Sequence, residues 1–174
     1  MEIRSGKLSV RKRYGRRSGG GINHVRYDHK RRPTKIDVVC PSCEGLAIAT
    51  DTEEAADSVF ACDLDPSWKG TPFSVKCTEC TYKKDGLDYF HIPKPFHEIY
   101  VYGERLWAWN LQHLDMIYCF LNDESIKGHA YASLQTYIHG KWKKGRLKFS
   151  KAISQHLLTH NLSFDTDAQV RRST

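Results

Sequence analysis

The sequence lacks the short motifs by which many enzyme families are recognised. It contains no P-loop, no GxGxxG string and no GxSxG string. It also contains no stretch that approaches the roughly 20 apolar residues needed to span a bilayer. The basic N-terminus has no apolar run behind it and does not read as a secretory signal, so a cytoplasmic protein without a membrane partner is expected. No pattern in the chain indicates a small-molecule substrate.

Positive charge is concentrated at the two ends of the chain. Residues 1–39 carry a net charge of +9 and residues 125–174 carry +7, whereas residues 51–124 carry −8. Basic segments at both ends favour a polyanionic partner, because each neutralised phosphate releases a condensed counterion. We therefore expect binding to nucleic acid, either DNA or RNA. Basic ends that only keep the protein soluble are the alternative.

Residues 1–35 predict a flexible, disordered basic arm. The segment mixes arginine, glycine and tyrosine without an apolar period, so it offers too little apolar surface to offset the entropy lost on ordering. Such segments can pair their cations with phosphates and their rings with bases. The candidate nucleic-acid contacts here are Arg11, Lys12, Arg13, Arg16, Arg17, Arg31 and Arg32.

Four of the six cysteines form two CxxC pairs, separated by thirty-three residues. Short alternating segments at 36–40 and 73–76 run into the two pairs, and two strands that each deliver a CxxC are the layout of a zinc ribbon. Disulfides or a redox centre are less favoured, since paired knuckles can close a tetrahedron about Zn²⁺. Four thiolates leave no open position, so one structural zinc ion is predicted on Cys40, Cys43, Cys77 and Cys80.

The two remaining cysteines favour burial over metal binding. Cys62 could compete as a fourth ligand, and His91 or His97 could replace a cysteine, but the spacing demands neither. Cys119 lies beside the apolar stripe of a predicted helix. Both lone cysteines are therefore predicted to be buried thiols in the core.

The apolar period changes after the second CxxC pair. Strands are predicted at 89–92 and 99–102, followed by a helix over 104–122, where apolar residues recur at spacings of four and three. Further helices are predicted around 128–139 and around 151–161, the latter with Ser150 as its N-cap.

Together these segments predict an α+β fold. A four-cysteine zinc ribbon of short antiparallel strands spans 36–102 and carries a C-terminal helical subdomain at 103–162, packed upon the ribbon. The flexible arm covers 1–35 and a flexible tail covers 163–174.

A loose HNH-nuclease pattern raises the alternative of a metal-dependent nuclease. His91 would activate water and Asn110 would orient the site, as in that family. The position after Cys119 is phenylalanine instead of the metal-binding histidine, and His113 lies three residues from Asn110 in a different geometry. The second metal ligand is therefore missing, and the motif is degenerate.

The stretch WAWNLQHL, residues 107–114, resembles the LWAYNxxHL stretch of small bacterial proteins that contain a transcription-factor-type zinc ribbon. The resemblance extends over roughly residues 38–160, with His-Gly in place of Leu-Pro in the basic string near residue 140. It implies the architecture more than an activity. Trp107, Asn110 and His113 form either a recognition surface or, more commonly for such aromatics, part of the core.

A second basic segment lies between residues 141 and 151 and holds six lysines and arginines without an acid. Its candidate nucleic-acid contacts are Lys141, Trp142, Lys143, Lys144, Arg146 and Lys148. Rings among cations could stack on unpaired bases, and the alternative is a solvated helix edge with one buried tryptophan. The sequence thus predicts a non-enzymatic nucleic-acid-binding protein, an accessory subunit of a larger complex, with a protein–protein adaptor as the alternative.

Overall fold

The computed structural model describes residues 31–53, 60–62 and 73–164, so the predicted contacts from Arg11 to Arg17 and most of the predicted arm lie outside the described part. The described chain is a mixed α+β protein with short antiparallel strands. The strands are β1 (Arg31–Pro33), β2 (Lys35–Val39), β3 (Leu46–Asp51), β4 (Phe60–Cys62), β5 (Phe73–Cys77), β6 (Lys83–Leu87), β7 (His97–Val101) and β8 (Glu104–Ala108).

The strands form three antiparallel sheets. The largest has the order β2-β3-β5-β6, while β1 pairs with β4 and β7 pairs with β8. Helical segments follow at α1 (Leu111–Leu121), a 3₁₀ helix (Ala132–Tyr137), α2 (Gly140–Lys144) and α3 (Arg146–Thr159). Among these described helices, none has both the length and the apolar character to cross a membrane.

One hydrophobic core joins the sheet to the helices. Strands β2, β3 and β5 alternate in burial, so that one face contributes side chains such as Val38, Ala47 and Val75. The C-terminal half contributes Trp107 and Trp142 to the same cluster. The predicted boundary between residues 102 and 103 falls in the turn between the paired strands β7 and β8. The cysteine-bearing sheet and the helical part therefore do not separate there, and both contribute to one core.

The outer edge of β2 is covered by chain from the C-terminal half. The amide of Val39 donates to Lys94 O at 2.9 Å, and the amide of Phe96 donates to Asp37 O at 2.9 Å. The amide of Asp37 in turn donates to Trp109 O at 2.6 Å. Strand β2 is therefore satisfied on both sides, although the four-stranded sheet ends there.

The helix predicted over 104–122 is wrong over its first seven residues, of which 104–108 form strand β8. Leu106, Trp107, Ala108 and Trp109 are all fully buried, and a strand buried on both faces shows no alternation that would distinguish it from a helix. Asn110 then ends the extended stretch with φ −154° and ψ 177°, and its side chain accepts a hydrogen bond from the amide of His113. Asn110 is thus the N-cap of α1.

Other boundaries also differ from the predictions. Residues 89–92 are turn instead of strand, and the polar strand β6 had no apolar pattern to reveal it. The last helix begins at Arg146, so Ser150 lies inside it and donates to Asn122 Oδ1 at 2.8 Å instead of capping. In the predicted flexible tail, Phe164 packs against Tyr118 with ring centroids 5.4 Å apart.

Candidate metal centre

The sheet topology brings the two CxxC pairs together. Strands β2 and β5 both pair antiparallel with β3, so they run in the same direction and end at the same edge of the sheet. Cys40 follows the last residue of β2, and Cys77 is the last residue of β5. The strands therefore place both knuckles side by side, although thirty-three residues separate them in the chain.

The four sulfur atoms have the spacing of a tetrahedral metal site. Cys40 Sγ lies 3.7 Å from Cys80 Sγ, and Cys43 Sγ lies 3.6 Å from Cys77 Sγ. All four sulfurs lie within 4.8 Å of one another. A tetrahedral ion with metal–sulfur bonds of about 2.3 Å requires sulfurs about 3.8 Å apart. The four cysteines therefore fit a metal ion, and their free thiols do not form the disulfides of the alternative prediction.

Backbone amides point at the sulfur atoms, as expected for thiolate ligands. The amide of Ser42 donates to Cys40 Sγ at 3.4 Å. The amides of Glu79 and Cys80 both donate to Cys77 Sγ at 3.3 Å. Hydrogen bonds to sulfur stabilise the thiolate, so these backbone amides favour the ionised form that binds a metal cation.

Neighbouring thiols of the cluster influence one another's ionisation in the absence of a cation. Burial raises the pKa of Cys77, but hydrogen bonds from the amides of Glu79 and Cys80 and from the neighbouring sulfurs outweigh burial. The net effect lowers the pKa of Cys77 to about 6. The amide of Gly45 lowers the pKa of Cys43, yet its sulfur neighbours and burial outweigh this and raise it overall. One thiolate thus suppresses the next, and a bound cation supplies the charge that lets all four ionise.

The other predicted metal ligands are engaged elsewhere. His91 Nδ1 bonds to Asp88 Oδ1 at 2.7 Å, and the buried His97 bonds to Asp37. Cys119 is fully buried in α1, which confirms its prediction as a core thiol, whereas the side chain of Cys62 lies outside the described residues. Across residues 31–53, 60–62 and 73–164, the four cysteines are the one group of three or more ligating side chains close enough to share an ion.

The predicted recognition surface of Trp107, Asn110 and His113 is wrong, and the alternative of a core role is confirmed. Trp107 is fully buried and His113 is 4% exposed. His113 Nδ1 accepts from the amide of Trp109 at 3.2 Å. The side-chain amide of Asn110 donates to Lys35 O at 2.8 Å and to the hydroxyl of Tyr131 at 2.7 Å.

Asn110 and Cys119, two residues of the nuclease-like pattern, likewise serve the fold. Asn110 uses its oxygen as the helix cap and its nitrogen on Lys35 and Tyr131, so neither end is available to orient a substrate. Cys119 donates to Asp115 Oδ1 at 3.7 Å inside the core. The structure gives the nuclease alternative no assembled site among these residues.

The basic segment lies on the outside of α2 and α3, with its aromatic residue inside. Trp142 is 1% exposed, and its indole nitrogen donates to Arg105 O at 3.0 Å. The prediction that Trp142 stacks on bases is therefore wrong, because its ring is buried in the core. The cationic side chains are exposed: Lys141, Lys143, Lys144, Arg146, Lys148 and Lys151.

Part of the cationic row is held by neighbours. Lys141 pairs with Glu104, and Arg146 pairs with Asp123. The ammonium of Lys143 lies 5.0 Å from the ring centre of Phe120. These contacts orient long side chains on the surface but leave them accessible to a phosphate. For Arg31 and Arg32, the structure places only the backbone, in strand β1.

Sequence reasoning missed a partly buried polar chain that ties the sheet to α3. His97 Nε2 bonds to Asp37 Oδ2 at 2.8 Å, and His97 Nδ1 lies 3.1 Å from His156 Nε2. The same carboxylate oxygen accepts from the amide of Leu111 at 3.1 Å. The three side chains come from β2, β7 and α3, and no local spacing in the sequence could have revealed them.

This polar chain predicts a pH-dependent stability. Burial, then the charges of His97 and His160, lower the pKa of His156 to about 4. The unfolded imidazole takes up its proton near pH 6.5, so the contribution of neutral His156 is present above pH 6.5 and is lost as the pH falls towards 4. After discounting for the half-exposed ring, we expect wild type to lose about 1 kcal/mol more than His156→Gln between pH 7 and pH 5. Urea unfolding at both pH values measures this, and equal losses would contradict it.

Comparison of the chain with protein-family models, with curated proteins and with solved structures gives no match. The resemblance of residues 107–114 to ribbon-containing proteins therefore stays a prediction. The fold and the site define a mixed α+β protein with a four-cysteine candidate metal centre.

Proposed function

We propose that this is a non-enzymatic nucleic-acid-binding protein, built on a zinc ribbon and acting as an accessory subunit of a larger complex. The observation that carries the proposal is the arrangement of α2 and α3. These helices turn Trp142, Phe149 and Ile153 into the core and six cationic side chains outward. Exposed cations on a rigid support can neutralise several phosphates of one nucleic-acid backbone.

The proposed metal is one structural zinc ion on Cys40, Cys43, Cys77 and Cys80. An all-thiolate shell disfavours Mg²⁺ and Ca²⁺, which prefer oxygen ligands, and the near-tetrahedral sulfur spacing suits Zn²⁺. With four protein ligands the shell is full, so the ion has no position for a substrate. Its role is to hold the ends of β2 and β5 together.

The N-terminal arm provides the second set of proposed phosphate contacts. Its cations are numerous in sequence, and it leads directly into β1 at Arg31. Two separated basic segments would let the protein hold an extended polyanion at more than one point. The acidic character of residues 51–124 confines this attraction to the two ends.

The proposal predicts that binding weakens steeply with salt and depends on the α2–α3 surface. We expect the double charge reversal Lys144→Glu with Lys151→Glu to lower affinity on the order of tenfold and to flatten the slope of log affinity against log salt, because each lost phosphate contact removes about 0.7 to 0.9 from it. Fluorescence anisotropy on labelled DNA and RNA across a salt series measures both quantities.

A matched control is the same charge reversal at Lys83 and Lys84, two exposed lysines on β6. It changes net charge equally but leaves α2 and α3 intact, so it should have little effect. Deleting residues 1–30, which keeps β1, should remove a further part of the slope. Equal losses of affinity in both charge reversals would assign the effect to net charge alone. If wild type bound neither DNA nor RNA at any salt concentration, the protein–protein adaptor would remain as the function.

A further inference from the structure

The turn between β7 and β8 holds an aromatic residue in a backbone conformation that suits asparagine or glycine. Val101 pairs with Glu104, so the loop consists of Tyr102 and Gly103 alone. Both have positive φ, 49° for Tyr102 and 78° for Gly103, as the type I′ hairpin turn requires. A bulky side chain is disfavoured at positive φ, and Asn is the usual residue at the first position.

The fold gives this tyrosine no packing role that would offset the strain. The Tyr102 side chain is 84% exposed, and Tyr100 on the same hairpin is 63% exposed. Residues held in strained backbone conformations concentrate at functional sites. The hairpin tip therefore exposes the ring of Tyr102 to solvent.

The Tyr102 ring lies beside the basic segment described above. The ammonium of Lys148 lies 4.3 Å from the ring centre of Tyr102. Lys141 pairs with Glu104, the residue directly after the turn. Cations and an exposed ring thus share one surface, which we call the hairpin–α3 surface: Tyr102, Lys141 and Lys148.

Resting on the proposed function, we infer that the hairpin–α3 surface binds single-stranded nucleic acid, with Tyr102 as the stacking platform for an unpaired base. Base stacking on an exposed ring requires a base that is not already stacked within a duplex. Lys148 beside the ring and Lys141 beside Glu104 would contact the neighbouring phosphates. Tyr102 supplies the aromatic contact that the buried Trp142 cannot make.

The test uses the full chain with its metal, and compares labelled single-stranded DNA and RNA oligonucleotides with a duplex of the same length. Tyr102→Asn is the informative variant, because Asn suits positive φ but offers no ring. We expect it to lower single-strand affinity about tenfold, to leave duplex affinity unchanged and to melt at or above the wild-type temperature. Tyr102→Phe keeps the ring and should bind single strands as wild type does.

The outcomes separate this inference from the proposed function. Salt-dependent binding by wild type with no loss in Tyr102→Asn, or with equal loss on duplex and single strand, overturns the stacking site and leaves the proposed function standing. A lower melting temperature of Tyr102→Asn would assign the ring to the fold and also overturn the inference. Absence of binding to all three nucleic acids by wild type overturns both. A difference between the DNA and RNA arms identifies whether the 2′-hydroxyl contributes.

Discussion

Replacing Cys77 with serine is expected to abolish metal binding and to unfold the sheet. Cys77 ends β5 and receives two amide hydrogen bonds, and its sulfur lies 3.6 Å from that of Cys43. Structural zinc contributes binding free energy of about 10 kcal/mol or more to folding, which is as large as the whole stability of a typical domain, about 5 to 15 kcal/mol. The loss should therefore be nearly complete. Metal content per chain and circular-dichroism melting of wild type and variant measure it.

The control for this prediction is Cys119→Ser, a second buried cysteine outside the metal centre. It should keep one zinc ion per chain, and any destabilisation should be moderate, since serine can make the hydrogen bond to Asp115 that the thiol makes. A chelator should reproduce the Cys77→Ser effect on wild type. A Cys77→Ser protein that melts like wild type would contradict a structural metal.

Replacing Trp142 with alanine is expected to cost about 3 to 5 kcal/mol of stability without a specific effect on binding. The ring is 1% exposed, so its removal leaves a cavity and also deprives Arg105 O of a hydrogen bond. Nucleic-acid affinity, measured where the variant is still folded, should stay near the wild-type value. Denaturant unfolding and anisotropy on the same sample separate the two effects.

The neighbouring change Lys143→Ala provides the contrast for Trp142→Ala. Lys143 is exposed, so its loss should change stability little while lowering affinity through one phosphate contact. If Trp142→Ala instead retained its stability and lost single-strand affinity, the tryptophan would be a binding residue after all.

The metal centre was predictable because its information is local. Each CxxC pair fixes its own knuckle, and the alternating residues before Cys40 and Cys77 predict the strands that carry them. That the sulfurs also meet depends on β3 pairing with both strands. The sequence contains that information only in the apolar patterns of three short segments, yet these were sufficient.

The C-terminal half was less predictable for two physical reasons. Total burial of residues 106–109 erased the alternation that identifies a strand, so β8 was indistinguishable from the helix that follows it. The burial of Trp142 among lysines could not be predicted, because α2 is only about one turn long before Gly145 and is too short to show an apolar period. The Asp37–His97–His156 chain joins residues about 60 positions apart, which a single sequence cannot pair.

The covered edge of β2 decides how this protein can be divided. Lys94, Phe96 and Trp109 satisfy the outer backbone groups of the strand that leads to Cys40. A fragment that stops before residue 93 would keep all four cysteines but expose that edge, ready to pair with strands of other chains. The cysteine-bearing sheet is therefore unsuitable as an isolated fragment for expression or domain grafting, even with its metal bound. A soluble fragment has to extend through the start of α1.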